Sequence, residues 1–393
     1  MHKEIVIMLT LAVIRPPLAW AQSLSSTSMQ NSSSINLKKL IKKADSGSTQ
    51  SQLQLGFAYQ FGKGVDKNIY QALRWYSKAA NSGDPSAQTN LGYLYETGPE
   101  AIKDLAEAAK WYTRAAVYGN PPGQFNLGLL YLRGQGVQKS TEDALHWIQR
   151  AVDADYPGAL AALGYLYSIG EGVPKDLNKA FKLTQKAATK NDSSGQALLG
   201  TFYAEGLGVS ADAAEAVKWY RKAAEAGNAA AQYGLGVMYE KGRGVTRDAQ
   251  EALRQYRLAG EGGSVEAQAV LGEIYERGEG VNVDYREAIA WYRRAADQGS
   301  TQSASRLGEL LFRGEGIERN LPEAAKLWTW AAERGNSEAQ FNLAELYMTD
   351  CVVQRDLAKA YSLFTLAGKT IDVSKQLSQL SSRMRQDEMG NVH

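Results

Sequence analysis

Residues 265–300 read VEAQAVLGEIYERGEGVNVDYREAIAWYRRAADQGS, and the landmarks of this stretch recur along the chain at a step of 36 residues. Gly272, which follows Leu271, belongs to a column that includes Gly56, Gly92, Gly128, Gly164, Gly200, Gly236 and Gly308 and ends at Ala344. Three residues after it, Tyr275 continues a tyrosine column from Tyr59 to Tyr347, with Leu311 the exception. Alanine holds two more columns, one through Ala72, Ala180, Ala288 and Ala360, the other through Ala79, Ala187, Ala259 and Ala367. Between them stand Trp75, Trp111, Trp147, Trp219 and Trp291. Self-similarity at a fixed period of this size marks a repeat architecture, and here no insertion breaks the register.

Each unit reads as two antiparallel helices. In the first, helix A spans about residues 51–61 and stops at Gly62-Lys63-Gly64-Val65, because glycine reaches the left-handed backbone that helix ends favour. Helix B follows from about Ile69 to Ser82, with Ala72, Trp75, Tyr76, Ala79 and Ala80 on one face. Alanine and glycine columns let backbones approach while tryptophan and tyrosine fill the space between layers. A single pair cannot bury both its faces, so neighbours must stack into a solenoid.

The pattern A-Q-x-x-L-G-x-x-Y-x-x-G-x-G-V…A-x-x-W-Y-x-x-A-A-x-x-G resembles the Sel1-like repeat family. Ala87-Gln88 before Leu91-Gly92 and Ala231-Gln232 before Leu235-Gly236 carry the resemblance, as do the turns at Gly206–Val209 and Gly278–Val281 with their following helices. It covers residues 48–371 as nine repeats. What it implies is an all-α, right-handed α/α solenoid in which helix A lines the concave side. Helical caps are expected at 35–47, from the stripe Leu37, Leu40, Ile41 and Ala44, and at 372–393, from Val373, Leu377, Leu380 and Met384.

The N-terminus reads as an export signal over residues 1–21. Lys3 precedes the apolar run Ile5–Ile14, which is too short to span a bilayer, and Ala19-Trp20-Ala21 presents small residues at a cleavage site. Residues 22–34 are serine-rich and read as a flexible tether. The expected location is therefore the periplasm, the cell surface or the medium.

Composition narrows the functional classes. A formal net charge of +2 offers no basic face for nucleic acid. Cys351 is the single cysteine, so no intramolecular disulfide can form. Beyond the signal only His146 and His393 remain, and His146 falls in a column otherwise filled by lysine and arginine, which places it on the surface. That is too little for a Ser-His-Asp or Cys-His arrangement or for a zinc cage. The segment Gly134–Ser140 (GQGVQKS) is a repeat turn, not a phosphate loop, since it lacks the glycine before lysine and the preceding strand. Glu107 with Lys110, Glu215 with Lys218 and Glu251 with Arg254 have the spacing of exposed helix ion pairs. No catalytic residue, cofactor or metal is expected.

What remains is a surface. Taking the repeat glycine as the inner reference, the positions one and four after it and three before it point outward on helix A, and the stripe is read from those one after and three before. They form a stripe of Phe57, Tyr93, Phe125, Leu129, Tyr165 and Tyr233, followed by the carboxylates Glu273, Glu309 and Glu345. Exposed aromatic groups mark partner sites. The alternative is that these side chains pack against neighbouring A helices. The expected function is a monomeric, non-enzymatic, exported scaffold binding a protein or peptide on helix A, in host interaction or envelope assembly. Residues from Ile35 to Gly47 are similar to the start of the secretory-immunoglobulin-A-binding Sel1 protein of enteric pathogens, which implies an immune-protein ligand. Two rival readings are a cell-wall glycan binder, with Tyr93 and Tyr165 stacking on sugars, and a β-lactamase-like hydrolase. The last resembles cysteine-rich relatives, from which this single-cysteine chain departs.

Overall fold

The computed structural model describes residues 37–349 and 354–390. The expected export signal, the tether and Cys351 lie outside them. The described residues form twenty α-helices and no strand. After α1 (Leu37–Asp45) come nine pairs of a helix A and a helix B. These are α2 (Thr49–Phe61) with α3 (Ile69–Asn81), α4 (Pro85–Thr97) with α5 (Leu105–Val117), and α6 (Pro121–Arg133) with α7 (Thr141–Asp153). They continue as α8 (Pro157–Ile169) with α9 (Leu177–Thr189), and α10 (Ser193–Glu205) with α11 (Ala213–Glu225). The next are α12 (Ala229–Lys241) with α13 (Ala249–Glu261), and α14 (Val265–Arg277) with α15 (Tyr285–Asp297). The last are α16 (Thr301–Arg313) with α17 (Leu321–Glu333), and α18 (Ser337–Tyr347) with α19 (Leu357–Ala367). The final helix is α20 (Ser374–Gly390).

The chain divides after Asn228 into two compact units, the first holding five pairs and the second four. Within each unit every helix A packs on its own helix B, and every helix B packs on the next helix A. The architecture is the all-α solenoid of helix-pair repeats that the period predicts.

Local chemistry sets the helix ends. Helix B is capped at each repeat by a short polar side chain at the same register: Asn68, Asp104, Ser140, Asp176, Asp212, Asp248, Asp284, Asn320 and Asp356. Each accepts a backbone N–H of the first turn, satisfying a donor the helix itself cannot. Helix A of the first pair begins at Thr49, two residues before the expected start, because Ser48 caps it through the N–H of Ser51 at 3.3 Å. At its other end Gly62 closes the helix at φ 68°, the left-handed conformation that the Gly-x-Gly turn was read to require.

The Ala-Gln pair of the pattern has a tertiary role. Gln52, Gln88, Gln124, Gln196, Gln268 and Gln340 are buried, and each donates its side-chain N–H to a backbone carbonyl eight residues upstream. For Gln268 the acceptor is Gly260 at 2.9 Å, in the last turn of the preceding helix B. One amide thus adds a second donor to a helix-end carbonyl and joins one repeat to the next.

The glycine column is a steric requirement. A Cβ built on Gly236 would lie 2.7 Å from the ring of Tyr256, and one on Gly200 would lie 2.6 Å from Tyr220. In these repeats the tyrosine ring of helix B therefore packs directly against the glycine of helix A. Tyr76, Tyr112, Tyr256 and Tyr292 are among the most completely buried large side chains.

Candidate functional site

The aromatic half of the expected stripe is core. Phe57, Phe125, Leu129 and Tyr165 are 6%, 0%, 3% and 3% exposed, so the contact surface assigned to them is corrected to inter-repeat packing. The reason is that A helices of successive repeats touch one another as well as their B helices, as α4 does with α6 and α8 with α10. Phe125 meets Tyr156 at a ring-centroid distance of 5.5 Å, and Leu129 and Tyr165 join Leu163, Leu198 and Phe202 in one cluster. Phe57 stands against Phe61 at 4.7 Å. The sugar-stacking role read for Tyr165 fails with its exposure. Tyr93 and Tyr233 are half-buried, and Tyr233 rests on Tyr256 at 5.7 Å.

The carboxylate half is closer to expectation, but two of its members are already paired. Glu273 lies 4.0 Å from Arg277. Glu309 accepts from Arg306 at 3.2 Å and from Arg313. Glu345 is exposed, and its carboxylate makes no hydrogen bond or ion pair among the described residues. Desolvation where it stands holds its carboxyl above the usual carboxylate range.

The repeat framework shows where the second unit departs from its own rule. Four residues after the repeat glycine, Glu240 and Glu276 accept from the hydroxyls of Tyr256 and Tyr292, at 2.9 and 2.7 Å. Burial and the facing carboxylate drive both phenols far above the usual tyrosine range. In the next repeat the acid becomes Phe312 and the tyrosine becomes Trp328, which stand 5.5 Å apart. In the last repeat the same two positions hold Met348 and Phe364. The Trp328 indole N–H donates instead to the Ser305 carbonyl at 3.0 Å. The polar pair that fills this space in the first two repeats of the second unit gives way to apolar groups.

A groove of about 440 Å³ opens there. Trp328 and Leu346 form its buried side, joined by half-buried Phe312 and Met348. Glu309, Glu345 and Asn342 line it from α16 and α18, and Arg383 reaches it from α20. Sequence reasoning placed Glu309 and Glu345 here but missed the apolar groups and Arg383. The signal for the former was the loss of the Glu–Tyr pairing in the last two repeats. For Arg383 there was none, since α20 lies outside the repeat.

Other features are ordinary surface. His146 is exposed and meets Trp147 edge-on at 5.0 Å. The pairs Glu107–Lys110, Glu215–Lys218 and Glu251–Arg254 form at 2.5, 2.8 and 2.9 Å on exposed helix faces, where solvent screens them. Among the described residues no three His, Cys, Asp or Glu side chains are grouped to hold a metal, and no helix is long and apolar enough to cross a membrane.

Stacked helix pairs locked by glycine–tyrosine contacts, with an amphipathic groove across their A helices, define a helical-repeat interaction protein. Comparison with known proteins gives the family. The Sel1 repeat profile matches nine segments, 49–84, 85–116, 121–156, 157–192, 193–228, 229–264, 265–300, 301–336 and 337–369, and the chain belongs to the Sel1 repeat family. Sel1 repeat proteins are in general non-catalytic protein-interaction scaffolds. Among solved structures the chain is similar to a Sel1 repeat protein from Oxalobacter formigenes, with 34% identity over 80% of this chain and 90% of that one and a TM-score of 0.53. It is also similar to a protective antigen of uropathogenic Escherichia coli with an SLR fold, with 29% identity over 91% of each chain and a TM-score of 0.42. Among curated proteins nothing matches the chain.

Proposed function

We propose that this protein is an exported scaffold, acting in the periplasm or outside the cell, that docks a protein partner in the groove of its second unit. The observation that carries the reading is the groove itself. It is about 440 Å³, apolar at its base, and lined by charged and polar groups of which Glu345, Asn342 and Arg383 have no side-chain partner among the described residues, in a chain whose family mediates protein interactions. Docking sites combine such an apolar centre with a polar margin. The Lys3 to Ala21 segment supports export, and the destination suits a partner in envelope assembly or on a host surface.

The docking test compares the wild-type chain with Met348→Glu, which places a charge in the groove. Both serve as bait against envelope extract and host mucosal secretions, and captured proteins are re-tested as purified components. A partner that binds the wild type directly and loses at least about ten-fold in affinity to Met348→Glu supports the reading; direct binding equal for both sinks it. Export is tested by fusing residues 1–36 to a phosphatase active only outside the cytoplasm. An inactive fusion would refute export while leaving the groove untouched.

A further inference from the structure

We infer that the groove of the second unit selects a particular peptide chemistry: an apolar side chain next to a lysine or arginine, with a carboxylate a few residues further along. The inference rests on the docking reading and gives it a ligand class. Three observations carry it.

The first is which charges at the groove are already committed. Glu309 is held by Arg306 and Arg313. Arg319 donates its Nε–H to the Phe312 carbonyl at 2.8 Å and lies over the Phe312 ring at 5.0 Å. That leaves the Glu345 carboxylate, the Arg383 guanidinium and the Asn342 side-chain amide, none of which makes a hydrogen bond or ion pair among the described residues. An acid, a base and an amide thus line one small cavity with no side-chain partner among the described residues.

The second is the apolar base. Phe312, Trp328, Leu346 and Met348 offer aromatic and thioether surface, and Met adapts to aromatic and aliphatic side chains alike. The third is size. About 440 Å³ is at the lower end of ligand cavities, enough for one or two side chains and too small for a folded element.

Together these fix the occupant. Its apolar side chain enters the base, its cation meets Glu345, its carboxylate meets Arg383, and Asn342, which both donates and accepts, takes a peptide group between them. The upward shift of the Glu345 carboxyl has the same sense, since a partly desolvated acid without a partner gains most from an incoming cation.

The test uses the full chain and fluorescein-labelled peptides in which Lys-Phe and Asp are separated by zero to three glycines. Controls exchange the two charges (Glu-Phe with Lys) or replace Phe by Ser. Fluorescence anisotropy is expected to show at least one Lys-Phe/Asp peptide binding about ten-fold tighter than both of its controls. The double variant Glu345→Lys/Arg383→Glu is expected to reverse the charge preference, and that reversal itself shows that the variant is folded. If wild type and double variant rank the peptides alike, the inference falls. A display selection of random peptides against the full chain separates the two readings. Enriched peptides that bind wild type and double variant equally leave docking standing and remove this groove chemistry, whereas no enrichment removes both.

Discussion

Contact between a glycine and a tyrosine sets the repeat at the scale of single residues. The Tyr256 ring occupies the space where a side chain on Gly236 would begin, so adding one methyl must push the two helices apart. Overpacking of this kind costs about 1–3 kcal/mol, partly offset by the better helix propensity of alanine, about 0.8–1 kcal/mol. Gly236→Ala is therefore expected to lower stability by up to about 2 kcal/mol, read as a lower midpoint in urea. An unchanged midpoint would mean that the ring swings aside freely. A second residue-scale prediction concerns Asp192, which caps α10 by accepting the N–H of Gly195 at 2.7 Å and is buried, so that desolvation pushes its pKa up to about 6. The folded chain holds this proton more tightly than the unfolded one. Its contribution is greatest below the unfolded value and falls as pH rises toward 6. Asn120 and Asn336 do the same capping without a charge. Asp192→Asn should thus raise stability by about 2 kcal/mol at pH 7 and change little at pH 4. Denaturation curves at the two pH values decide this, and equal effects at both would exclude a desolvated carboxylate.

The units of construction are the helices, and their joints are built from short polar side chains. The recurring cap at helix B and the buried glutamine of helix A supply the groups that helix ends lack, so the same sequence signals start a helix and tie it to its predecessor. Gln268→Ala removes one of the donors to the Gly260 carbonyl, which keeps the Gly263 N–H at 3.1 Å, and opens space between α13 and α14. The expected loss is about 0.5–1.5 kcal/mol, with amide exchange accelerated in the last turn of α13. If exchange there is unchanged, the glutamine is not the joint. The departures from the rule are equally informative. Tyr156 caps α8 without a side-chain hydrogen bond, and its ring packs on Phe125 instead. Helix α8, PGALAALGYLYSI, is apolar around its circumference and is buried on nearly all sides. That run was a readable warning that its outward positions meet protein, because a helix hydrophobic all round is a buried one.

At the scale of the molecule, each repeat depends on its neighbours, so damage should be local before it is global. Gly308→Val sets a branched side chain against Trp328, whose Nε1 would lie 2.6 Å from a Cβ. Hydrogen exchange is expected to rise first in α16 and α17 and in the adjoining α15 and α18, with α12 keeping its protection. A uniform rise through the second unit would show one cooperative block instead.

The sequence by itself determined the period, the two helices per repeat, the closing glycine turns, the exposed ion pairs and the family, because all of these are local or strictly periodic. It also offered Glu309 and Glu345 as surface acids. Only the tertiary structure decided that Phe57, Phe125, Leu129 and Tyr165 are core, that Glu309 is neutralised by Arg306 and Arg313, and that Glu345, Asn342 and Arg383 meet in one groove. The reason is geometric. A helix wheel separates two faces, but helix A touches its own B helix, the preceding B helix and A helices of neighbouring repeats, so its buried arc is set by contacts hundreds of atoms away in sequence. Arg383, on a helix outside the period, reaches the groove through folding alone.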